Sequence, residues 1–195
     1  MSDLIALTGY ARVGKDEAAK ALIAAGWERR AFGDIIKRQI DPLIQKHLGF
    51  SAFTEVNAEK EQIRGTLEQW GESNYIGVMR EFFGTLPEKC VNTRLCRVAE
   101  ALEWRRRGGL IVQIHRVDRL GHVQGPATAW EEGVVKSLVE ANVIDYVLFN
   151  DSTTEDLCET MRRLFILNEH ERVPSSSGGR PGTVWCSSFV HPTNR

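Results

Sequence analysis

The stretch Gly9–Asp16, "GYARVGKD", decides the fold. An apolar run, Leu4–Thr8 ("LIALT"), leads into it, and a helix-patterned segment, "KDEAAKALIAAG", leads out. The run reads as a buried parallel strand. Ala18, Ala19, Leu22 and Ile23 recur at helical spacing before Gly26 stops the helix. Gly9, four intervening residues, Gly14 and Lys15 have the spacing of a phosphate-cradling loop. In such a turn successive N–H groups point inward, the helix adds its positive end, and the lysine reaches the outer phosphates. The next residue, usually Ser or Thr, is Asp16. Asp is a hard oxygen ligand acceptable to magnesium. It is equally a first-turn residue favoured by the helix dipole. A glycine-rich turn that binds nothing is the plain alternative.

Outward from this turn the chain alternates strands and helices. "WERRAF" is a weak strand, and "GDIIKRQIDPLIQKHLG" a helix with Ile35, Ile36, Ile40, Leu43 and Ile44 on one face, kinked or split at Pro42. "NAEKEQIRGTLEQW" and "YIGVMREFFGTL" are helices, the first capped by Asn57. "KCVNT" is a short strand, "RVAEALEWRRRGG" a helix and "LIVQIHRV" a β-branched strand. Asp118–Thr128 reads as a loop, "AWEEGVVKSLVEAN" as a helix, "YVLFN" as a strand and "TTEDLCETMRRLFILNE" as a last helix. After Arg172, "VPSSSGGRPG" is linker-like, and the remainder has no strong period. This alternation predicts an α/β fold whose ligand sits beyond the carboxyl ends of parallel strands, where Gly9–Lys15 lies.

Composition bounds the partners. Net charge is −1, so no overall field draws the chain to nucleic acid or to an anionic membrane. No segment approaches the ~20 apolar residues of a membrane span. The four cysteines lack paired metal spacing, and the amino terminus lacks an export pattern, so the expectation is a cytoplasmic protein with reduced thiols. Arg105–Arg107 reads as a basic helix end rather than a nucleic-acid patch.

"LTGYARVGKDEAA" resembles the phosphate loop of phage-type deoxynucleoside monophosphate kinases, which often carry G-K-D. The resemblance continues in order through "RAFGDIIKRQI", "RGTLEQWGES", "CVNTRLCRVAEALEWRRRGGLIVQIHR" and "YVLFNDSTTEDL". It implies a P-loop NTPase-type three-layer α/β/α fold over residues 1–172, with a mostly parallel sheet of about five strands. A small lid at 118–129 and acceptor-site helices at about 34–86 are also implied, with a tail at 173–195 and possible homodimers. If phage-encoded, the chain works in the host cytoplasm. Departures are Glu17 for Thr, Glu68 for Gln and Asn92 for the Asp of D-x-R.

The implied reaction moves the γ-phosphate of ATP, with magnesium, onto a (deoxy)nucleoside 5′-monophosphate. That chemistry needs positioning and charge neutralisation more than a protein nucleophile. Gly9, Tyr10, Ala11, Arg12, Val13, Gly14, Lys15, Asp16 and Glu17 are assigned to ATP, and Asp16 also to the metal. Lys15, Arg94, Arg116 and Arg119 are the catalytic candidates; arginine suits this because its planar fork binds phosphate bidentately. Asp34, Arg38, Arg64 and Glu68 join Arg94 on the acceptor side, although Arg64 equally suits a helix-surface ion pair with Glu61 or Glu68. Asn150–Asp151 lies near adenine or simply forms a turn. A kinase for another small acceptor such as dephospho-coenzyme A, or a nucleotide-binding protein without transfer, is the alternative.

Overall fold

Leu4–Thr8 forms β1 and Lys15–Ala24 forms α1, so the glycine-rich stretch is a turn between a buried strand and a helix. The computed structural model describes residues 3–118, 120–126 and 128–166, and the backbone of 183–186. Beyond β1, the strands are β2 (Glu28–Arg30), β3 (Cys90–Asn92), β4 (Leu110–Arg116), β5 (Tyr146–Asn150) and β6 (Thr183–Cys186). They form one sheet in the order β2-β3-β1-β4-β5-β6. The ladders of β1 with β3 and β4, of β4 with β5, and of β5 with β6 are parallel. The strand order reverses at β1, the place in such a sheet where a ligand crevice is expected beyond the carboxyl ends, and Gly9 begins the turn there.

The helices are α1, α2 (Phe32–Leu48), α3 (Asn57–Ser73), α4 (Tyr75–Gly84), α5 (Val98–Arg106), α6 (Ala129–Glu140) and α7 (Thr154–Phe165). Backbone contacts divide the chain into two compact units, Met1–Arg29 with Glu88–Arg195, and Arg30–Pro87. In the first unit the two-residue period of the strands feeds two helical layers. Ile5, Leu7, Val91, Val112, Ile114 and Leu148 bury one face against Ala18, Ala19 and Leu22 of α1 and Leu157, Met161 and Phe165 of α7. The intervening Ala6, Thr8, Ile111 and Gln113 are buried on the opposite side, where α5 and α6 pack. There Trp104, fully buried, donates its indole N–H to the Leu110 carbonyl at 3.2 Å. The small residues of α1 let that helix approach the sheet closely. At α7, a capping box between Thr153 and Asp156 fixes the turn just after β5.

In the second unit Phe32 stacks on Phe82 with ring centroids 3.8 Å apart, and Phe83 meets both rings edge-on. Ile40, Ile44, Ala52 and Ile63 form a separate core cluster. Helix α2 runs as one element through Pro42, so of the expected kink or split the split does not occur. The buried Ile40 and Ile44 hold it on either side of the proline, and Asp41 ties it to the following loop by accepting bonds from Ser51 Oγ and the Ala52 N–H. Asn57 is the first residue of α3 and Val56 occupies the cap position. Thr54 takes over the local bonding, accepting from the Val56 N–H and donating to Glu59.

Four-residue β6 was illegible as a strand because so short a segment shows little alternation. Its pairing with β5 is a long-range property. Leu22 is fully buried between α1, the sheet and α7. Leu22→Ala is therefore expected to lower unfolding free energy by about 2–5 kcal/mol, measured by urea denaturation with an unchanged m-value.

Candidate active site

The glycine-rich turn is held from outside by its carbonyls. Lys15 Nζ donates to the carbonyls of Gly9 (2.9 Å) and Tyr10 (2.5 Å). Gln124 Nε2 donates to that of Ala11 (3.1 Å), and Asn150 Nδ2 to that of Val13 (2.9 Å). Arg116 reaches the Arg12 carbonyl at 3.5 Å, the longest of the set. Five successive carbonyls thus accept from side chains. Because the N–H and C=O of one peptide point in opposite directions, these bonds also orient the loop's donors.

Two glycines make the path possible. Gly9 has φ +127°, and a Cβ there would strike the Ile114 carbonyl of β4. Gly14, the residue before α1, has φ +103°, and a Cβ would lie 2.7 Å from Asn150 Nδ2. Both positions need a residue without a side chain. Arg12 also occupies the left-handed region, at φ +63°, which is uncommon outside glycine.

A segment following β3 brings a second cation to the loop. Thr93–Arg97 leaves the strand without regular structure until α5 begins at Val98. Arg94 is exposed, and its charge acts on Lys15. Burial pushes the Lys15 ammonium below its ordinary pKa, while Cys96, Asp16 and Glu131 pull it back up. The Cys96 thiol is raised by burial and lowered by Arg94. Asn92 is fully buried; its Oδ1 accepts from the Arg94 N–H at 3.0 Å, and its Nδ2 has no partner among the described residues. Glu100, 4% exposed, is pushed up to about 7 by burial, against the opposing pull of bonds from the Cys96 and Arg97 N–H groups and of the arginines 94 and 97.

After β4, Val117 forms an antiparallel bridge with Val123. The Asp118 carboxylate accepts from the N–H groups of Leu120 and His122, and Gly121 turns the chain at φ +83°. The expected loop is therefore a tight hairpin-like turn in this part, and it delivers Gln124 to the glycine-rich loop. Arg119 lies outside the described residues. Asp34, in the first turn of α2, and the exposed Arg38, Arg64 and Glu68 all belong to the second unit. Arg64 pairs with Glu61 through two nitrogens, at 3.0 and 2.5 Å. Glu17 is occupied by Lys20 at 2.7 Å. Asp16 keeps a largely open carboxylate, 3.9 Å from Arg29 Nε. Among the described residues no group of three or more His, Cys, Asp or Glu side chains stands ready to hold a metal ion, and no helix is long and apolar enough to cross a membrane.

No protein-family model matches the chain, and no curated protein matches it. Solved structures similar to it include dephospho-CoA kinase from Campylobacter jejuni, 11% identical over 86% of this chain and 97% of that one, with a TM-score of 0.48. Shikimate kinase from Acinetobacter baumannii, in complex with shikimate, is 15% identical over 86% and 94% of the two chains, with a TM-score of 0.49. Shikimate kinase from Bacteroides thetaiotaomicron is 13% identical over 82% and 96%, with a TM-score of 0.46.

Sequence pattern missed Gln124, Asn150 as a loop support, Cys96 and Glu100. Glu100 had a signal, since it stands three residues into a helix at the capping-box position. Gln124 had none. The raised Glu100 pKa carries a definite sign. A folded value near 7 against an unfolded value near 4.5 means the folded state holds the proton more tightly, so this contribution is complete below 4.5 and is lost as pH rises through 7. Glu100→Gln is neutral throughout. Its melting temperature relative to wild type is expected to be higher at pH 8 than at pH 5, by an amount corresponding to roughly 3 kcal/mol or less, read by thermal unfolding at both pH values.

Proposed function

We propose that the chain is an ATP-dependent phosphotransferase acting on a (deoxy)nucleoside 5′-monophosphate. The observation that carries this reading is the loop whose five carbonyls are tied by Lys15, Gln124, Arg116 and Asn150. A glycine-rich turn that merely joins strand to helix needs no such scaffold. Preorganised donors at a helix amino terminus are what a triphosphate requires. In this reading the backbone of residues 9–17 and Lys15 hold the β- and γ-phosphates. Lys15 exchanges its carbonyl partners for phosphate oxygens.

Arg94, close enough to Lys15 for their charges to interact, meets the acceptor phosphate. Arg116 and Arg119 close on the group in transfer, with 118–129 as the lid. For Asp34, Arg38, Arg64 and Glu68 the acceptor role rests on the sequence resemblance alone, and Arg64 would have to release Glu61 to take it up. An anionic phosphate needs no strong base to attack, which suits a site carrying the amide of Asn92 where an alcohol acceptor calls for a carboxylate. The open Asp16 carboxylate would help hold a hydrated magnesium ion, which would supply neutralisation of the developing charge.

The Asn92 amide also favours a second reading, a nucleotide-binding protein without transfer. A coupled assay of ATP against a panel of deoxynucleoside and nucleoside monophosphates, extended to dephospho-coenzyme A and shikimate, separates these possibilities. ADP formation with a monophosphate supports the proposal. Product only with a hydroxyl acceptor, or tight ATP binding without product, overturns it. Within the active protein, Lys15→Ala is expected to lose about 10²–10³-fold in kcat. Asp16→Ser is expected to keep measurable turnover, and equal losses from both would show that Asp16 is as essential as the lysine.

A further inference from the structure

The segment that carries Arg94 has an unusual set of anchors. Leu95 donates its N–H to the Leu7 carbonyl at 3.2 Å and accepts from Thr8 Oγ1 at 3.0 Å, which fastens its centre to the end of β1. Asn92 Oδ1 fastens the Arg94 N–H. Toward the carboxyl-side end, Glu100 Oε2 accepts from the N–H groups of both Cys96 (3.0 Å) and Arg97 (3.1 Å). A capping box accounts for only one of these bonds, the one to the cap residue Arg97. The second reaches one residue further back, into the segment itself.

Keeping a carboxylate here is costly. Glu100 is almost wholly buried, and desolvation is the largest influence on its ionisation. A smaller polar cap such as serine at the Arg97 position satisfies a helix start without burying a charge. The bond to Cys96 is what such a cap does not supply. We propose that Glu100 is the positioning residue for Arg94: by fixing the Cys96 and Arg97 amides it holds the arginine's backbone where the guanidinium can meet a phosphate beside Lys15. The inference rests on the acceptor-phosphate role assigned to Arg94 above. A bidentate arginine tolerates little displacement, since misplacement by about 1 Å costs on the order of 10²-fold in rate.

The test separates anchoring bonds from charge. Glu100→Gln keeps an oxygen of the same reach and removes the charge. Glu100→Asp keeps the charge on a shorter stem, and Glu100→Ala removes both. With the phosphate loop filled by a non-hydrolysable ATP analogue, inorganic phosphate is titrated calorimetrically into wild type, the three Glu100 variants, Arg94→Ala and the Arg94→Ala/Glu100→Ala pair, each checked for folding by thermal melting. Arg94→Ala is expected to weaken phosphate binding at least tenfold, Glu100→Ala and Glu100→Asp at least fivefold, and Glu100→Gln less than twofold. The double variant should be no worse than Arg94→Ala, because one residue acts through the other.

Additive losses in the pair overturn the proposal. So does a normal Glu100→Asp beside an impaired Glu100→Gln, which would assign the effect to charge. Should Glu100→Ala fail to fold, the Asp and Gln variants decide alone. Wild type that binds no phosphate beyond what Arg94→Ala binds refutes the positioning role together with the role of Arg94. The monophosphate panel decides the reaction separately, since an inactive protein can still show the Arg94- and Glu100-dependent phosphate site.

Discussion

The hydrogen atom that serves as the side chain of Gly9 is the constraint on which the rest of the site depends. At φ +127° the residue turns the chain out of β1 directly against the Ile114 carbonyl of β4. A methyl group there would push the loop off the sheet. The close approach puts residues 11–13 within reach of Arg116, Gln124 and Asn150, which arrive from β4, the turn beyond it and β5. One absent side chain therefore links strand pairing to loop geometry, and loop geometry to the chemistry available at the amino terminus of α1.

The two sides of the site are built by different physics. The loop is fixed by polar bonds to neighbouring strands that are themselves buried in an apolar layer of Ile5, Leu7, Val112, Ile114 and the α1 and α7 residues. The Arg94 segment instead lies on the face where the sheet carries polar groups, among them Thr8, Asn92 and Gln113, all buried. Buried polar groups oblige the chain to supply partners, and here the partners double as anchors: Thr8 for Leu95, Asn92 for Arg94, Glu100 for Cys96 and Arg97. Displacing that segment would leave several of these buried groups without partners at once, which favours a single rigid arrangement.

Most of the fold was legible from pattern. The strand–turn–helix around Gly9, the β-branched run of β4 and the helical periods of α2 and α7 all carry their structure in neighbouring residues. Errors fell where local signals compete with context. Proline within α2 breaks a helix only if nothing else holds it, and buried Ile40 and Ile44 flank Pro42. Asn57 is a good cap by type, yet the Thr54 and Glu59 side chains settle the geometry one residue earlier. The tail was unreadable as a strand because β6 is only Thr183–Cys186 and needs β5 to exist.

What the amino-acid sequence determined by itself was the α/β class and the phosphate-loop spacing of Gly9, Gly14 and Lys15, since both reside in residues adjacent along the chain. It also offered Arg94 and Arg116 as candidates by type, as cations at strand ends. Only the tertiary structure decided that Gln124 and Asn150 support the loop and that Glu100 braces the segment bearing Arg94. The bonds of Gln124 and Asn150 span 113 and 137 positions in sequence, so no local pattern encodes them. Glu100 is only four positions from Cys96, but spacing alone shows a helix cap. Its burial, and with it the cost of a charge there, arises when α5 closes over the sheet.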